Sequence, residues 1–219
     1  MASGSEDTFW TQDPEVAAST DVELLKRAWR NEKASPEILR FEEPLVERVR
    51  EQIELLEQTV EELRAEGKDE LMISLYQMDL DRTLYLLRSY LRIRLQKIEK
   101  YTIHISKTDL WGRLSSQEQA FAQRCIIIMK EHLEQSVLGK LPDGYKDVLK
   151  QSLASEDDDM VPEPPLDTFV FCKSRGDLGP FQLDDSVYYM IVHRCKNDYR
   201  LVQKHMEDGS WALVMLLIP

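Results

Sequence analysis

One stretch without glycine or proline dominates the sequence, from Asp69 to about Ile103. Its apolar residues recur at steps of three and four, the spacing that places side chains on one face of an α-helix. The spacing predicts one helix of about 33 residues, about 50 Å long. The main apolar stripe consists of Leu80, Leu84, Leu87, Leu91, Leu95 and Ile98. A second, offset set consists of Leu71, Leu75, Met78, Tyr85 and Ile93.

The apolar surface of this helix is too wide to be covered by one antiparallel partner. We therefore expect it to be buried against several helices, some of them from other chains. The second half of the helix carries a row of cations, which suits the negative C-terminal end of a helix dipole. A solvated face or ion pairs between subunits is the favoured interpretation of this row, and direct contact with DNA is the alternative. Its members are Arg82, Arg88, Arg92, Arg94, Lys97 and Lys100.

Signals for further helices precede the long one. Thr20 and Glu23 have the spacing of a capping box, in which a hydroxyl and a carboxylate bind free backbone amides. Residues 35–37 (Ser-Pro-Glu) predict a short helical turn, with proline at a first helical position. Pro44 then predicts the start of a second long helix, and Gly67 predicts its end.

The segments that precede and follow the predicted helices have a different composition from the helices themselves. After one more helix, which the run LSSQE at 114–118 predicts, residues 152–165 carry five acidic residues, no basic residue and three prolines. That composition predicts an acidic linker without regular helix. Residues 1–19 are small, polar and acidic, which predicts a disordered tail. Within it, the adjacent aromatic residues Phe9 and Trp10 are a candidate docking anchor.

Beyond the linker the apolar period changes from helical to two, which is typical of strands. Strands are predicted at 168–172, 187–192, 199–202 and 211–218. The last of these is apolar on both alternating faces, so both faces need to be covered. The block from 166 to 219 is close to the size at which a single core is marginal, so it is expected to pack against something larger.

These patterns together predict an α+β chain. Its parts are a disordered acidic tail at 1–19, a mostly α-helical long-helix bundle domain at 20–151, an acidic proline-rich linker at 152–165 and a small β-rich domain at 166–219. The candidate subunit-interface residues lie on the long helix and on the last strand. They are Leu80, Leu84, Tyr85, Leu87, Arg88, Leu91, Arg92, Arg94, Leu95, Trp211, Leu213, Met215 and Leu217.

Charge limits the classes of partner. The chain has 28 basic and 40 acidic residues and a formal net charge of −12. This excess argues against strong DNA binding by the chain alone, because neutralising phosphates requires clustered cations. The negative net charge is still compatible with a protein that acts near DNA as part of a larger assembly. The sequence has no run of 18 apolar residues, so no membrane span is predicted.

Motifs that carry chemistry are missing from the sequence. It contains no GxGxxG, GxxxxGK[ST], GxSxG or HExxH pattern. The three cysteines are widely spaced and form no zinc pattern with the four histidines. The acidic run at 157–159 has no scaffold to hold a hard cation. We therefore predict that the chain is not an enzyme and has no catalytic, cofactor-binding or metal-binding residue.

A series of motifs resembles a known family. The motifs are ELLKRAWRNEK at 23–33, QMDLDR at 77–82, SYLRIRLQKIEK at 89–100, LSxxExxFA at 114–122 and PxLDxxVF at 164–171. In this order they resemble the Sld-five family of GINS subunits in eukaryotic DNA replication. The resemblance covers roughly residues 20–219, and its motifs are specific as a series.

The resemblance implies a helical domain followed by a small β-domain, in a nuclear, non-catalytic scaffold. Four related subunits form a heterotetramer, which joins the MCM hexamer and a RecJ-like partner as the replicative helicase. The ATPase chemistry belongs to MCM. The family's tail can also carry a short motif for a trimeric replisome hub, which residues 1–19 do not clearly match. The alternative interpretation is a free-standing helical adaptor outside replication.

Overall fold

The computed structural model describes the helical part of the chain almost continuously and several strands after it. The described residues are 20–142, 144, 146, 161–174, 181–183, 186–188, 195–198 and 211–213. The helices are α1 (Asp21–Ala34), α2 (Glu43–Ala65), α3 (Glu70–Lys107) and α4 (Ser116–Ser136), with short 3-10 helices at Asp109–Arg113 and Leu138–Lys140.

The helix ends follow local sequence signals. The Thr20 hydroxyl accepts a hydrogen bond from the Glu23 amide at 3.4 Å and so caps α1. Pro44 lies in the first turn of α2. After α2 ends, Gly67 has a φ of 63°, a left-handed conformation that glycine adopts without strain. The predicted helical turn at 35–37 is wrong, because these residues form a loop in which the Ser35 hydroxyl donates to the Glu37 carbonyl.

Helix α3 is longer than predicted and is not straight. It continues beyond residue 103 to Lys107, and Tyr101 has non-helical angles (φ −112°, ψ 24°) at a kink between two helical stretches. Next to the kink, the Thr102 hydroxyl donates to the backbone carbonyls of Ile98 and Glu99. Hydroxyls bound in this way to the preceding turn often bend a helix, which gives the kink a local cause.

The core is built around α3, which packs against α1, α2 and α4. One buried cluster joins α1, α2 and the middle of α3, and a second joins the end of α3 to the segment that leads into α4. The first consists of Leu25, Leu45, Val46, Val49, Ile53, Leu80, Leu86, Leu87 and Tyr90. The second consists of Ile38, Ile98, Tyr101, Ile105, Leu110, Leu114 and Ala122. The helices therefore form a bundle, as predicted.

The described strands lie in two sheets. They are β1 (Phe169–Ser174), β2 (Phe181–Leu183), β3 (Ser186–Tyr188), β4 (Cys195–Asp198) and β5 (Trp211–Leu213). β1 lies between β4 and β5 and is antiparallel to both, while β2 and β3 pair with each other. The prediction for 199–202 falls outside the described residues.

Candidate functional site

The most unusual group in the bundle is a fully buried arginine. Arg94, on α3, has no exposed side-chain surface. Its Nε donates to Glu118 Oε1 at 2.7 Å, and Nη2 donates to Glu118 Oε2 at 3.0 Å and to the Arg113 carbonyl at 3.2 Å. Its Nη1 donates to Glu32 Oε2 at 2.9 Å and to the Leu39 carbonyl at 2.7 Å. All five N–H groups of the guanidinium therefore have an acceptor.

Two further cations complete this ion cluster, which we define as Arg94, Lys97 and Arg113 with Glu32, Glu37 and Glu118. The Lys97 ammonium lies 2.8 Å from Glu32 Oε1 and donates to the Glu37 carbonyl at 2.9 Å. The Arg113 guanidinium donates to Glu37 Oε1 at 2.8 Å and to the Ile38 carbonyl at 3.2 Å. The cluster ties α1, α3, α4 and the two connecting loops together.

Burial changes the ionisation of the groups on α3. Burial by itself lowers the pKa of Arg94, but the hydrogen bonds to Glu118 and the charge of Glu32 raise the pKa above its usual value. Burial lowers the pKa of Lys97, although Glu32 opposes this shift. Burial raises the pKa of the Tyr90 hydroxyl to about 12. Arg94 therefore stays charged, and the planar fork of its guanidinium is matched to the Glu118 carboxylate.

The role of the ion cluster is structural, which corrects the interpretation of Arg94. We expected Arg94 in a solvated or intersubunit row, but its side chain is fully buried and its ion pairs are with Glu32 and Glu118 of this chain. Leu80 is also buried in the chain's own core, and its assignment as an interface residue stays a prediction. The sequence held a signal for Arg94, because Leu80, Leu87 and Arg94 are spaced by seven residues and share one helix face.

The other candidates on α3 divide into two groups. Leu84, Leu87 and Leu91 belong to the first core cluster or pack against it. Four candidates are exposed in the chain by itself, and they are Tyr85, Arg88, Arg92 and Leu95. Among the last-strand candidates, Trp211 and Leu213 lie in β5, whereas Met215 and Leu217 fall outside the described residues.

The second apolar set of α3 is left largely uncovered. Leu71 is 65% exposed, Leu75 57%, Met78 59% and Tyr85 63%. These four residues form the α3 stripe, and their spacing places them along one side of the first half of the helix. The fifth predicted member, Ile93, is half-buried.

A second uncovered apolar surface lies on the last helix of the bundle. Of the residues of α4, only Glu118 and Ala122 are buried, and both lie in its first two turns. Ile127, Ile128 and, just after the helix, Val137 are each about half exposed, at 55%, 58% and 49%. We call Ile127 and Ile128 the α4 patch. The bundle thus presents two apolar surfaces on different helices.

The described residues lack the features of a metal site and of a membrane-spanning helix. Within the described residues, no cluster of three or more His, Cys, Asp and Glu side chains could hold a metal ion. No helix in the described ranges combines the length and apolar character that crossing a bilayer requires. His104 lies 3.6 Å from the Glu163 carboxylate.

Comparison with known proteins identifies the bundle. The family model described as "GINS complex protein helical bundle domain" matches residues 46–137, which include all of α3 and α4 and most of α2. A protein of Arabidopsis thaliana named "DNA replication complex GINS protein SLD5" is 48% identical over 98% of this chain and 100% of its own length. The chain belongs to the SLD5 family of GINS proteins.

Two less similar SLD5 proteins support the same assignment. The human protein of the same name is 38% identical over 70% of this chain and 67% of its own length. The Dictyostelium discoideum protein is 31% identical over 88% of this chain and 91% of its own. Membership of the SLD5 family confirms the resemblance predicted from the motifs and places the chain among the GINS proteins of DNA replication. The alternative of an adaptor outside replication gains no support.

Proposed function

We propose that this chain is a non-catalytic structural subunit of a heterotetrameric GINS complex. In this role it acts in the nucleus, as part of the scaffold that joins the MCM hexamer and a RecJ-like partner in the replicative helicase. The observation that carries the proposal is the exposed α3 stripe. An apolar surface that the chain leaves exposed is expected in a subunit of a complex, and the relatives of this chain are named as proteins of one.

The free energy gained by burying the side chains of the α3 stripe favours assembly. A leucine or methionine that passes from water to a fully buried site gains about 1.5–3 kcal/mol. Contiguous exposed apolar patches of this kind mark interaction sites in soluble proteins. The repeat at 71, 75 and 78 matches the spacing with which one helix packs against another. A helix of a sister subunit is therefore the natural cover for the stripe.

The α4 patch supports a subunit with more than one neighbour. It lies on a different helix from the α3 stripe and beyond the turns of α4 that the core holds. A subunit of a closed heterotetramer meets two others, and two separate apolar surfaces suit that arrangement.

The proposal includes the rest of the chain. The helical domain would be followed by the acidic linker and by a small β-rich domain at 166–219, whose last strand secures assembly through Trp211, Leu213, Met215 and Leu217. Catalysis is assigned to MCM, and this chain has no catalytic, cofactor-binding or metal-binding role. The net charge of −12 favours weak DNA binding by the chain alone. Docking of a replisome hub by Phe9 and Trp10 concerns residues outside the described ranges.

Co-expression with the three sister subunits, followed by size-exclusion chromatography, tests the proposal. The wild-type chain should elute in one four-subunit peak. Replacing Leu71 and Leu75 together by serine should remove the chain from that peak, because both side chains are exposed in the free subunit and would be buried in the complex. The matched control is Leu55→Ser, since Leu55 is equally exposed, at 62%, on α2. Co-elution of the double variant at the control's yield would contradict the proposal.

A further inference from the structure

A groove runs along the bundle between α2 and α3. Its floor is a row of leucines from α3, at positions 84, 87, 91 and 95. The part that the first turn of α4 closes has a volume of about 470 Å³, and the adjoining part, which shares Glu47, Arg50 and Leu87 with it, has about 730 Å³. Leu95 is 38% exposed, so the floor is accessible from outside.

The α2 side of the groove is acidic, and two exposed arginines of α3 lie next to its leucine floor without lining the groove itself. On the α2 side the lining includes Glu43, Glu47, Glu51, Glu54 and Glu57, with Arg50 as the cation among the groove-lining residues of that helix. On the α3 side, Arg88 and Arg92 are exposed. Residues three or four apart are neighbours on a helix, so Arg88 lies beside Leu84 and Leu91, and Arg92 beside Leu95.

Within the described part of the chain these charged side chains form no direct ion pair, although the pKa of the nearby Arg48 is raised by its hydrogen bond to Asp21 and also by the charge of Glu51. Among the residues that the structure describes, none of the ion pairs includes a groove-lining glutamate of α2, Arg88 or Arg92. The groove therefore combines an apolar floor with an acidic side on α2, and Arg88 and Arg92 flank the floor on α3.

We propose that this groove binds an amphipathic helix of a sister GINS subunit, which rests on the function proposed above. The apolar face of that helix lies on the leucine row. Its lysines and arginines lie along the glutamates of α2, and its aspartates and glutamates lie along Arg88 and Arg92. The acidic side on α2 and the arginines on α3 determine the rotation of the bound helix about its own axis, because each of its charged flanks must meet the opposite charge.

The shape of the groove favours a helix over other occupants. The leucines at 84, 87, 91 and 95 are spaced by three, four and four, which an apolar helix face matches by ridge-into-groove packing. The row spans about 17 Å, or about three turns of a partner helix. The glutamates of the α2 side disfavour binding of nucleic acid, because they repel its phosphates. The same glutamates disfavour binding of the chain's own residues 1–19, which contain four acidic and no basic side chains.

Charge reversal tests the electrostatic part of this proposal. Glu47→Lys combined with Glu54→Lys, in the full chain co-expressed with the three sister subunits, should weaken binding to them at least tenfold. The effect should shrink at high salt, because screening weakens exposed charge pairs. Glu62→Lys combined with Glu66→Lys makes the same change in net charge at exposed positions outside the groove and should leave binding unchanged. Equal affinities of the two double variants would overturn the proposal.

Photo-crosslinking identifies the occupant directly. The photoreactive residue p-benzoylphenylalanine, placed at Leu95 in the purified four-subunit complex, should crosslink to a helical segment of one sister subunit with a basic flank. The same group at Leu55, on another face of α2, should not capture that segment. A crosslink to residues 1–19, to a second copy of this chain, or to nothing would overturn the groove assignment.

The two proposals fail in distinguishable ways. If the wild-type chain forms no complex with its sister subunits, both the proposed function and the groove assignment are wrong. If the complex forms, but the Glu47/Glu54 variant assembles normally and position 95 captures no sister helix, only the groove assignment is wrong.

Discussion

Replacing Arg94 by leucine should strongly destabilise the helical bundle. The change removes the partner of two buried carboxylates, since Glu32 is 1% and Glu118 5% exposed. Glu32 keeps its contact with Lys97, whereas Glu118 loses both hydrogen bonds to the guanidinium. Two backbone carbonyls, of Leu39 and Arg113, also lose a donor.

The expected magnitude follows from these contacts. Breaking a buried ion pair on one side costs about 3–5 kcal/mol, because an uncompensated charge stays buried. This is a large share of the stability of a typical domain, about 5–15 kcal/mol. For a chain of this size it corresponds to a fall in Tm of about 6–20 °C.

Thermal unfolding of the full chain, followed by circular dichroism at 222 nm, measures this effect. The matched control is Arg92→Leu, which removes an exposed arginine two residues away on the same helix. The control should stay within about 0.5 kcal/mol of the wild type, as surface changes usually do. If the two variants unfold at the same temperature, the ion cluster does not stabilise the bundle and the reasoning is refuted.

Three further changes test other parts of the molecule. The pKa of the Tyr90 hydroxyl, about 12, lies above the usual value of 10, so the wild type has stability below pH 10 that it loses as the pH rises toward 12. Tyr90→Phe removes this titration and should therefore reduce the loss of stability between pH 9 and pH 11.5 by about 2 kcal/mol. Urea titrations at both pH values measure it, and an unchanged pH dependence would rule it out. Ser115→Ala should cost about 0.5–2 kcal/mol, since Ser115 and Glu118 form a capping box at α4, whereas Ser116→Ala should cost much less. Equal unfolding midpoints in urea would count against the cap. Deleting residues 211–219 should weaken pull-down of the sister subunits while leaving most of the helical circular dichroism signal, and an undiminished yield would show that the last strand does not secure assembly.

The sequence predicted the helices well because their signals are local. Thr20, Pro44 and Gly67 mark ends that the structure has within a few residues. The predicted end of α3, at about residue 103, falls short of Lys107, and the kink at Tyr101 was not predicted because a threonine hydroxyl bound to the preceding turn is a weak sequence signal. No glycine or proline marks that point.

The site was harder to predict because side-chain burial depends on the packing of distant segments. The periodicity grouped Arg94 with Arg88 and Arg92, yet only Arg94 faces the core. Its acceptors lie 62 and 24 residues away, on Glu32 and Glu118, and a row of cations along one helix does not reveal them. The seven-residue spacing was the available signal, since it places Arg94 on the same helix face as Leu80 and Leu87.

Exposure of the second apolar set was also decided by the fold. The same helical spacing produced both stripes of α3, but α1 and α2 cover the one that includes Leu80 and Leu87. The stripe that begins at Leu71 has no cover in the bundle. The spacing predicted that α3 needs several partners, and only the structure shows which residues this chain leaves for others.

Native mass spectrometry of the co-expressed complex tests the central claim most directly. A subunit whose α3 stripe is covered by sister subunits should appear in one complex that contains a single copy of each of the four chains. The chain should not persist as a free monomer when its sisters are present in equal amounts. A spectrum in which this chain occurs only alone or only with copies of itself would contradict the account.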